Sequence, residues 1–275
     1  MEARHHHGDS AYAIDLSGVS VRYGARLALE DLSLTVETGR RVAVVGPNGA
    51  GKSTLFNLLA GVLSTDRGRV LIHGHRPERH VCIAYVTQSN QVDWNFPVSV
   101  RDVVMMGRVG EIGLLRRPSA ADRQLVQDSL DRMEMTHLAQ RQIGELSGGQ
   151  KQRMFIARAL AQQADLMLLD EPLSGLDLKS QDKIFSLLDT LSAQQVTLLF
   201  ATHDLNLARE RFERILLLNR RLVAYGPPDQ VLTSENLAAA YGGHMQVLDT
   251  ADGPVAIGDM GGHHEHGHDH GEAHG

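Results

Sequence analysis

Two segments of this chain have the residue types and spacing that grip phosphate. The first is Gly46-Pro47-Asn48-Gly49-Ala50-Gly51-Lys52-Ser53-Thr54. Its glycines let backbone N–H groups close around phosphates, Lys52 can reach the β- and γ-phosphates, and Ser53 can hold Mg²⁺. The helix expected to start there adds the positive end of its dipole. Thr54 reads as a further phosphate contact or as a plain helix-start hydroxyl. The second segment is Leu146-Ser147-Gly148-Gly149-Gln150, followed by a helical run from about Lys151. It sets a hydroxyl and backbone N–H groups at a helix start, facing an anion. Neither segment finishes a site alone. Together they predict nucleotide-triphosphate hydrolysis by a face-to-face pair, each nucleotide clamped between two copies of the chain.

Other reactive residues fall where a strand ends. The apolar run Leu166–Leu169 leads into Asp170-Glu171. Two acids at the end of a buried strand are costly unless they bind something. Asp170 suits Mg²⁺, directly or through water, and Glu171 is placed to orient and deprotonate an attacking water. His203 follows another apolar run, Val196–Ala201, and could hydrogen-bond the γ-phosphate. Gln88 ends a third, where its amide oxygen could touch Mg²⁺ or water. Tyr23, upstream of the glycine-rich loop, could stack on adenine, or could be a half-buried residue at a strand end.

These positions require an α/β frame. Strand-like runs occupy Ala13–Val21, Leu32–Val36, Arg41–Val45, Arg69–Ile72 and Val81–Val86. Leu55, Leu58 and Leu59 put one apolar face on a helix over Lys52–Leu63. Helical periods dominate from about 89 to 164, with helices expected over Val100–Met106, Ala120–Met135 and Gly149–Gln163. A helix over Leu176–Leu191, a strand over Val196–Ala201 and a hairpin over Arg214–Tyr225 follow. Strands alternating with helices predict a mainly parallel sheet covered on both faces, interrupted by a helical insertion at 89–164.

With 275 residues, 42% apolar and 22% charged, the chain has material for a sizeable core. Net charge of −6 argues against a nucleic-acid partner, which would need a basic footprint. No apolar run is long enough to span a bilayer, and Met1–His7 has no signal-peptide character. The single cysteine, Cys82, reads as a buried thiol, so a cytoplasmic setting is expected.

In their order along the chain, these motifs resemble the ATP-binding-cassette (ABC) ATPases. The resemblance covers about residues 12–242, and Leu146–Gln150 is its most discriminating element. It implies a P-loop core with an antiparallel β subdomain and an inserted helical subdomain. It also implies that Ser147 and Gly149 contact the γ-phosphate held by a second copy in a head-to-tail dimer, and that Asp177, in Ser174-Gly175-Leu176-Asp177, communicates across that dimer. The stretch Val92–Val104, with Arg116–Ser119, Gln142–Glu145 and Leu217–Leu222, looks like the manganese/zinc/iron importer branch. That branch implies an integral-membrane permease, an extracytoplasmic metal-binding protein, and a station on the cytoplasmic face of the membrane. Trp94 and Phe96 could dock the permease or belong to the subdomain core.

Residues 1–11 read as a loose N-terminus and 243–275 as an extension ending in a disordered tail. His263, His264, His266, His268, His270 and His274, mixed with Glu265, Asp269 and Glu272, suit Zn²⁺. The expectation is therefore ATP, Mg²⁺, tail-bound Zn²⁺ and a divalent metal cargo, zinc ahead of manganese. Two other classes compete. A non-transport cassette ATPase, such as an iron–sulfur-assembly type, would also be a single soluble cassette. A metallochaperone GTPase would leave Leu146–Gln150 unexplained and lacks a guanine-reading tetrad.

Overall fold

A computed structural model of the chain describes residues 11–77, 83–87, 93–113 and 116–242, and the backbone of 245–250 and 253–258. Gln88, Cys82, the N-terminal histidines and the histidine tail lie outside the described residues.

The main sheet has six strands, and period-2 side-chain alternation explains why most of its strands are apolar throughout. In β3 (Arg41–Val45), Ala43 and Val45 enter one core, while Val42 and Val44 enter the core on the opposite face. The same division splits β6 (Leu166–Asp170), β7 (Thr197–Ala201) and β8 (Arg214–Asn219). A strand covered on both faces has no position for a polar side chain, so it reads as a continuous apolar run. With β5 (Ile83–Val86) and β9 (Arg221–Gly226), the order is β5-β6-β7-β3-β8-β9. All neighbours run parallel except the β8–β9 hairpin.

A second, antiparallel sheet has the order β2-β1-β4, from β1 (Tyr12–Tyr23), β2 (Arg26–Glu37) and β4 (Arg67–Ile72). It closes one core over α1 (Lys52–Leu59), where Leu55, Phe56, Leu58 and Leu59 are buried. Helix α1 stops four residues before Leu63, followed by Gly61 at φ 71°. β1 and β2 extend beyond their apolar cores, to Tyr23 and from Arg26, because the tight turn at Gly24 lets pairing continue to the hairpin tip.

The opposite core is shared with the inserted helices. These are α2 (Val100–Met106), the short α3 (Val109–Ile112), α4 (Ala120–Arg132) and α5 (Gly148–Gln162). Helices α2, α4 and α5 each start at a serine, Ser99, Ser119 and Ser147, that forms a reciprocal capping box with the residue three positions on. Arg108 and Asp122 form a buried ion pair at 3.1 Å, and Arg108 also donates to the Ala161 carbonyl, tying the start of α3 to α4 and α5. Asp122 sits below the usual carboxylate range because Ser119 and then Arg108 hydrogen-bond it.

Helix α6 (Leu178–Ala193) begins two residues later than its apolar pattern suggests, because Asp177 is its N-cap. After α7 (Leu205–Arg211) come α8 (Pro228–Val231) and α9 (Ser234–Tyr241). An antiparallel pair, β10 (Met245–Thr250) and β11 (Gly253–Gly258), follows in a stretch where the composition gave no strand signal.

Candidate active site

The C-terminal ends of β3, β6 and β7 lie side by side, Asp170 pairing in register with Ala201. The loop Gly46–Gly51 leaves β3 there and enters α1. Gly46 has no room for a Cβ, which would stand 2.1 Å from the Leu218 carbonyl oxygen. At Gly51 the backbone is left-handed, φ 98°, and a Cβ would meet the Ala28 carbonyl oxygen at 2.6 Å. Only glycine meets both demands.

Lys52 is buried, and its Nζ donates to the Gly46 carbonyl at 2.6 Å and the Pro47 carbonyl at 3.1 Å. Burial lowers its pKa, partly offset by Glu171 and Asp170. Asp170 is only 4% exposed, and burial raises its pKa. The Ser53 hydroxyl hydrogen-bonds it and acts the other way, as does Lys52, while Glu171 adds to the rise. Glu171 holds a left-handed backbone at φ 49°, with its N–H on the Ala201 carbonyl at 3.2 Å. A non-glycine residue in that region is strained, and such strain concentrates at functional sites. His203 Nδ1 is 3.7 Å from Glu171 Oε1, on a side chain 78% exposed.

An open cleft of about 400 Å³ is lined by Tyr23, Arg26, Ala28, Asn48–Thr54, Asp170 and Glu171, with His203 reaching it only through Glu171. Tyr23 is 52% exposed at the tip of β1 and faces this cleft. Arg26 and Ala28 were not singled out by the sequence reading. Their signal is the tight β1–β2 hairpin, which carries both strand ends to the same place.

A second cleft, about 300 Å³, shares no residue with the first. It is lined by Ser147, Gly148, Gly149, Gln150, Arg153, Gly175, Leu176, Asp177 and Ser180. Ser147 Oγ accepts from the Gln150 N–H at 3.3 Å, and Gln150 Oε1 accepts from the Ser147 N–H at 2.9 Å. Gly149 lies close to Leu176, where a Cβ would stand 3.1 Å from a side-chain methyl. Asp177 accepts from the Ser180 N–H at 2.9 Å and its hydroxyl at 2.8 Å, and these bonds lower its pKa. The fold thus brings Gly46–Thr54, Tyr23, Asp170, Glu171 and His203 together, and puts Ser147–Gln150 and Asp177 together elsewhere. Arg153 and Ser180 are additions the motif pattern did not flag.

Trp94 packs edge-on against Phe155 with centroids 5.9 Å apart, and Lys151 Nζ lies 3.9 Å from its ring centroid, so it belongs to the helical subdomain's packing. Phe96 is 57% exposed. Among the described residues no cluster of His, Cys, Asp and Glu could hold a metal, and no helix is long and apolar enough to cross a membrane.

Comparison with known proteins agrees with this geometry. Residues 29–174 match the ABC transporter family. The manganese transport system ATP-binding protein MntA of Synechocystis is 50% identical over 234 residues, covering 84% of this chain and 90% of that protein. The zinc transport system ATP-binding protein TroB of Treponema pallidum is 41% identical, covering 86% and 89%. A solved structure described as an inward-facing conformation of a putative metal-chelate type ABC transporter is 34% identical, with a TM-score of 0.75 over 90% of this chain and 98% of that one. The chain therefore belongs to the ABC transporter family, as an ATP-binding subunit of its metal-transport branch.

Proposed function

We propose that this chain powers uptake of manganese through a separate membrane permease, working on the cytoplasmic face as a head-to-tail dimer of two copies. The observation that carries the ATP chemistry is the convergence of Lys52, Ser53, Asp170 and Glu171 on one cleft. Before nucleotide arrives, Lys52 is held by loop carbonyls, and its ammonium is ready to exchange them for phosphate oxygens. The Ser53 hydroxyl and Asp170 carboxylate, already bonded to each other, form an oxygen donor pair suited to Mg²⁺, as would the Gln88 amide. Bound there, Mg²⁺ would offset negative charge on the β- and γ-phosphates.

Glu171 is assigned as the general base. Its carboxylate takes a proton from water as that oxygen bonds to the γ-phosphorus. The bond from phosphorus to the β-bridging oxygen breaks, leaving ADP and phosphate. His203 is assigned to the γ-phosphate edge, within reach of Glu171. Tyr23 would stack on adenine. Ser147, Gly149 and Gln150 would close on the nucleotide held by the second copy, with Asp177 beside them. Phe96, Met106 and Val109, each exposed on the helical insertion, would offer apolar side chains to the permease.

Manganese is placed first because the 50% identical relative carries that description. The histidine tail and the zinc-system relative support zinc as the second reading. An extracytoplasmic metal-binding protein would deliver the ion to the permease. Metal content of a deletion strain decides between them. Loss of manganese accumulation, restored by the wild-type gene and not by Lys52→Ala, supports manganese, whereas loss of zinc alone supports the second reading. Unchanged content of both would refute metal uptake.

A further inference from the structure

The phosphate loop is held from behind by a turn that the motif pattern does not include. Between β8 and β9, Arg220 adopts a left-handed backbone at φ 58°. Its N–H donates to the Ala50 carbonyl at 2.8 Å, and its carbonyl accepts the Glu30 N–H at 2.8 Å. A trans peptide points its C=O and the following N–H in opposite directions. Anchoring the Ala50 carbonyl to the rear therefore aims the Gly51 N–H forward, toward the cleft. The preceding residue of the turn region, Leu218, lies so close that its carbonyl oxygen fills the space where Gly46 would carry a Cβ.

The turn is itself tied to α9. Asn219 Nδ2 donates to the Ala240 carbonyl at 2.8 Å, satisfying one of the carbonyls that a helix end leaves unpaired. The next residue, Tyr241, returns to the loop. Its phenol oxygen is buried with no hydrogen bond of normal geometry, and the Gly46 backbone is the polar group that acts on it. Burial pushes that phenol up to about 12, so it stays neutral across the working pH range. A loop rich in glycine has high backbone freedom. Its N–H groups can cradle phosphate only if something outside the loop limits that freedom.

We propose that Asn219 and Tyr241 are positioning residues for ATP, acting through the β8–β9 turn and Gly46 to fix the backbone that receives the phosphates. They touch no substrate. Their effect falls on nucleotide affinity, while Glu171 and its proton transfer stay in place.

The test is steady-state ATP hydrolysis by the full chain with Asn219→Ala, Asn219→Asp and Tyr241→Phe, alongside thermal unfolding of each. Asn219→Asp keeps the shape and removes the donor, and Tyr241→Phe removes one oxygen from a ring that keeps its packing. Each Asn219 variant is expected to raise the KM for ATP about fivefold, the effect of one neutral hydrogen bond, and Tyr241→Phe, which loses a weaker polar contact, about threefold, with kcat at saturating ATP within about twofold of wild type. The double variant Asn219→Asp/Tyr241→Phe should fall short of the product of the two, because both act on one wall of the loop. If KM is unchanged while only the unfolding temperature drops, the turn is a fold element alone and the proposal is wrong. Tyr241→Phe decides the matter if the Asn219 variants fold poorly, since a wild-type KM there overturns it.

Discussion

The two clefts proposed to face phosphate are built by different means. In the first, the loop that holds Lys52 and the acids facing it are set by elements distant in sequence. Lys52 is buried against the loop it serves, Asp170 lies at the end of an interior strand, and the Arg220 N–H holds the loop from another hairpin. In the second, Ser147 and Asp177 are N-caps whose hydrogen bonds reach only three residues along their own helices. The first is organised by the tertiary fold and the second by local capping. A tertiary site concentrates buried charge where electrostatics are strong, which suits the chemical step. A capped helix end on the surface suits a contact made only when another molecule arrives.

The sharpest way to break this contrast is Glu171→Gln. If the chemistry belongs to the first cleft, kcat should fall about a thousandfold, the range for a lost general base, while ATP still binds. Single-turnover hydrolysis and nucleotide titration measure the two separately. Turnover near wild type would remove Glu171 from the base role and weaken the division between the clefts.

Ser147→Ala probes the other side. It removes the hydroxyl that the proposed dimer would offer to the second copy and one member of a capping box. Turnover should fall about a hundredfold, the effect of losing one positioned donor at a site of developing charge. The affinity of a single copy for ATP should stay as it was, because no residue is shared between the clefts. Equal losses in both would show that the second cleft is needed to shape the first.

The same contrast explains what the sequence made legible. Motifs defined by local spacing could be located directly: Asn48–Thr54 and Asp170-Glu171 line one cleft, and Ser147–Gln150 lines the other. The apolar strands were equally readable, because burial on both faces keeps β6 apolar up to Asp170 and β7 apolar after Thr197. Arg26 was not readable, since it reaches the cleft only through the β1–β2 hairpin, and neither was the Arg220–Ala50 bond, which joins residues far apart in sequence. Strands β10 and β11 were missed because their short runs, with Asp249 and Pro254 inside them, carry no clear alternation.

Arg26 gives a test of intermediate size. Its guanidinium lies near Gly49, 3.5 Å from where a Cβ there would stand, and it lines the cleft. A charge-assisted hydrogen bond to phosphate would make Arg26→Ala raise the KM for ATP about tenfold. Arg26→Lys should recover part of the loss, because an ammonium supplies charge without the planar fork. A wild-type KM in Arg26→Ala would place the side chain outside the nucleotide's reach.

The smallest effects concern the empty chain, where the two clefts should differ in sign. Asp170 is held above its ordinary value of 3.8, mainly by burial, so its ionised form opposes folding. That penalty is absent below the unfolded value, grows as pH rises from there, and is complete above the raised folded value. Asp170→Asn should therefore raise the unfolding temperature of the ATP-free, Mg²⁺-free protein at neutral pH, on the order of 3 °C, while abolishing turnover. Asp177 is held below 3.8 by the Ser180 N–H and hydroxyl, so its ionised form supports folding. That support is full above the unfolded value and is lost as pH falls through the lowered folded value. Asp177→Ala should lower the unfolding temperature at neutral pH, and Asp177→Asn, which still caps a helix, should restore most of it. Calorimetric scans at pH 7 measure all three variants against wild type. Shifts of the same sign for Asp170→Asn and Asp177→Ala would mean that the interior cleft carries no electrostatic strain of its own. The difference between the two half-sites would then lie in their partners alone.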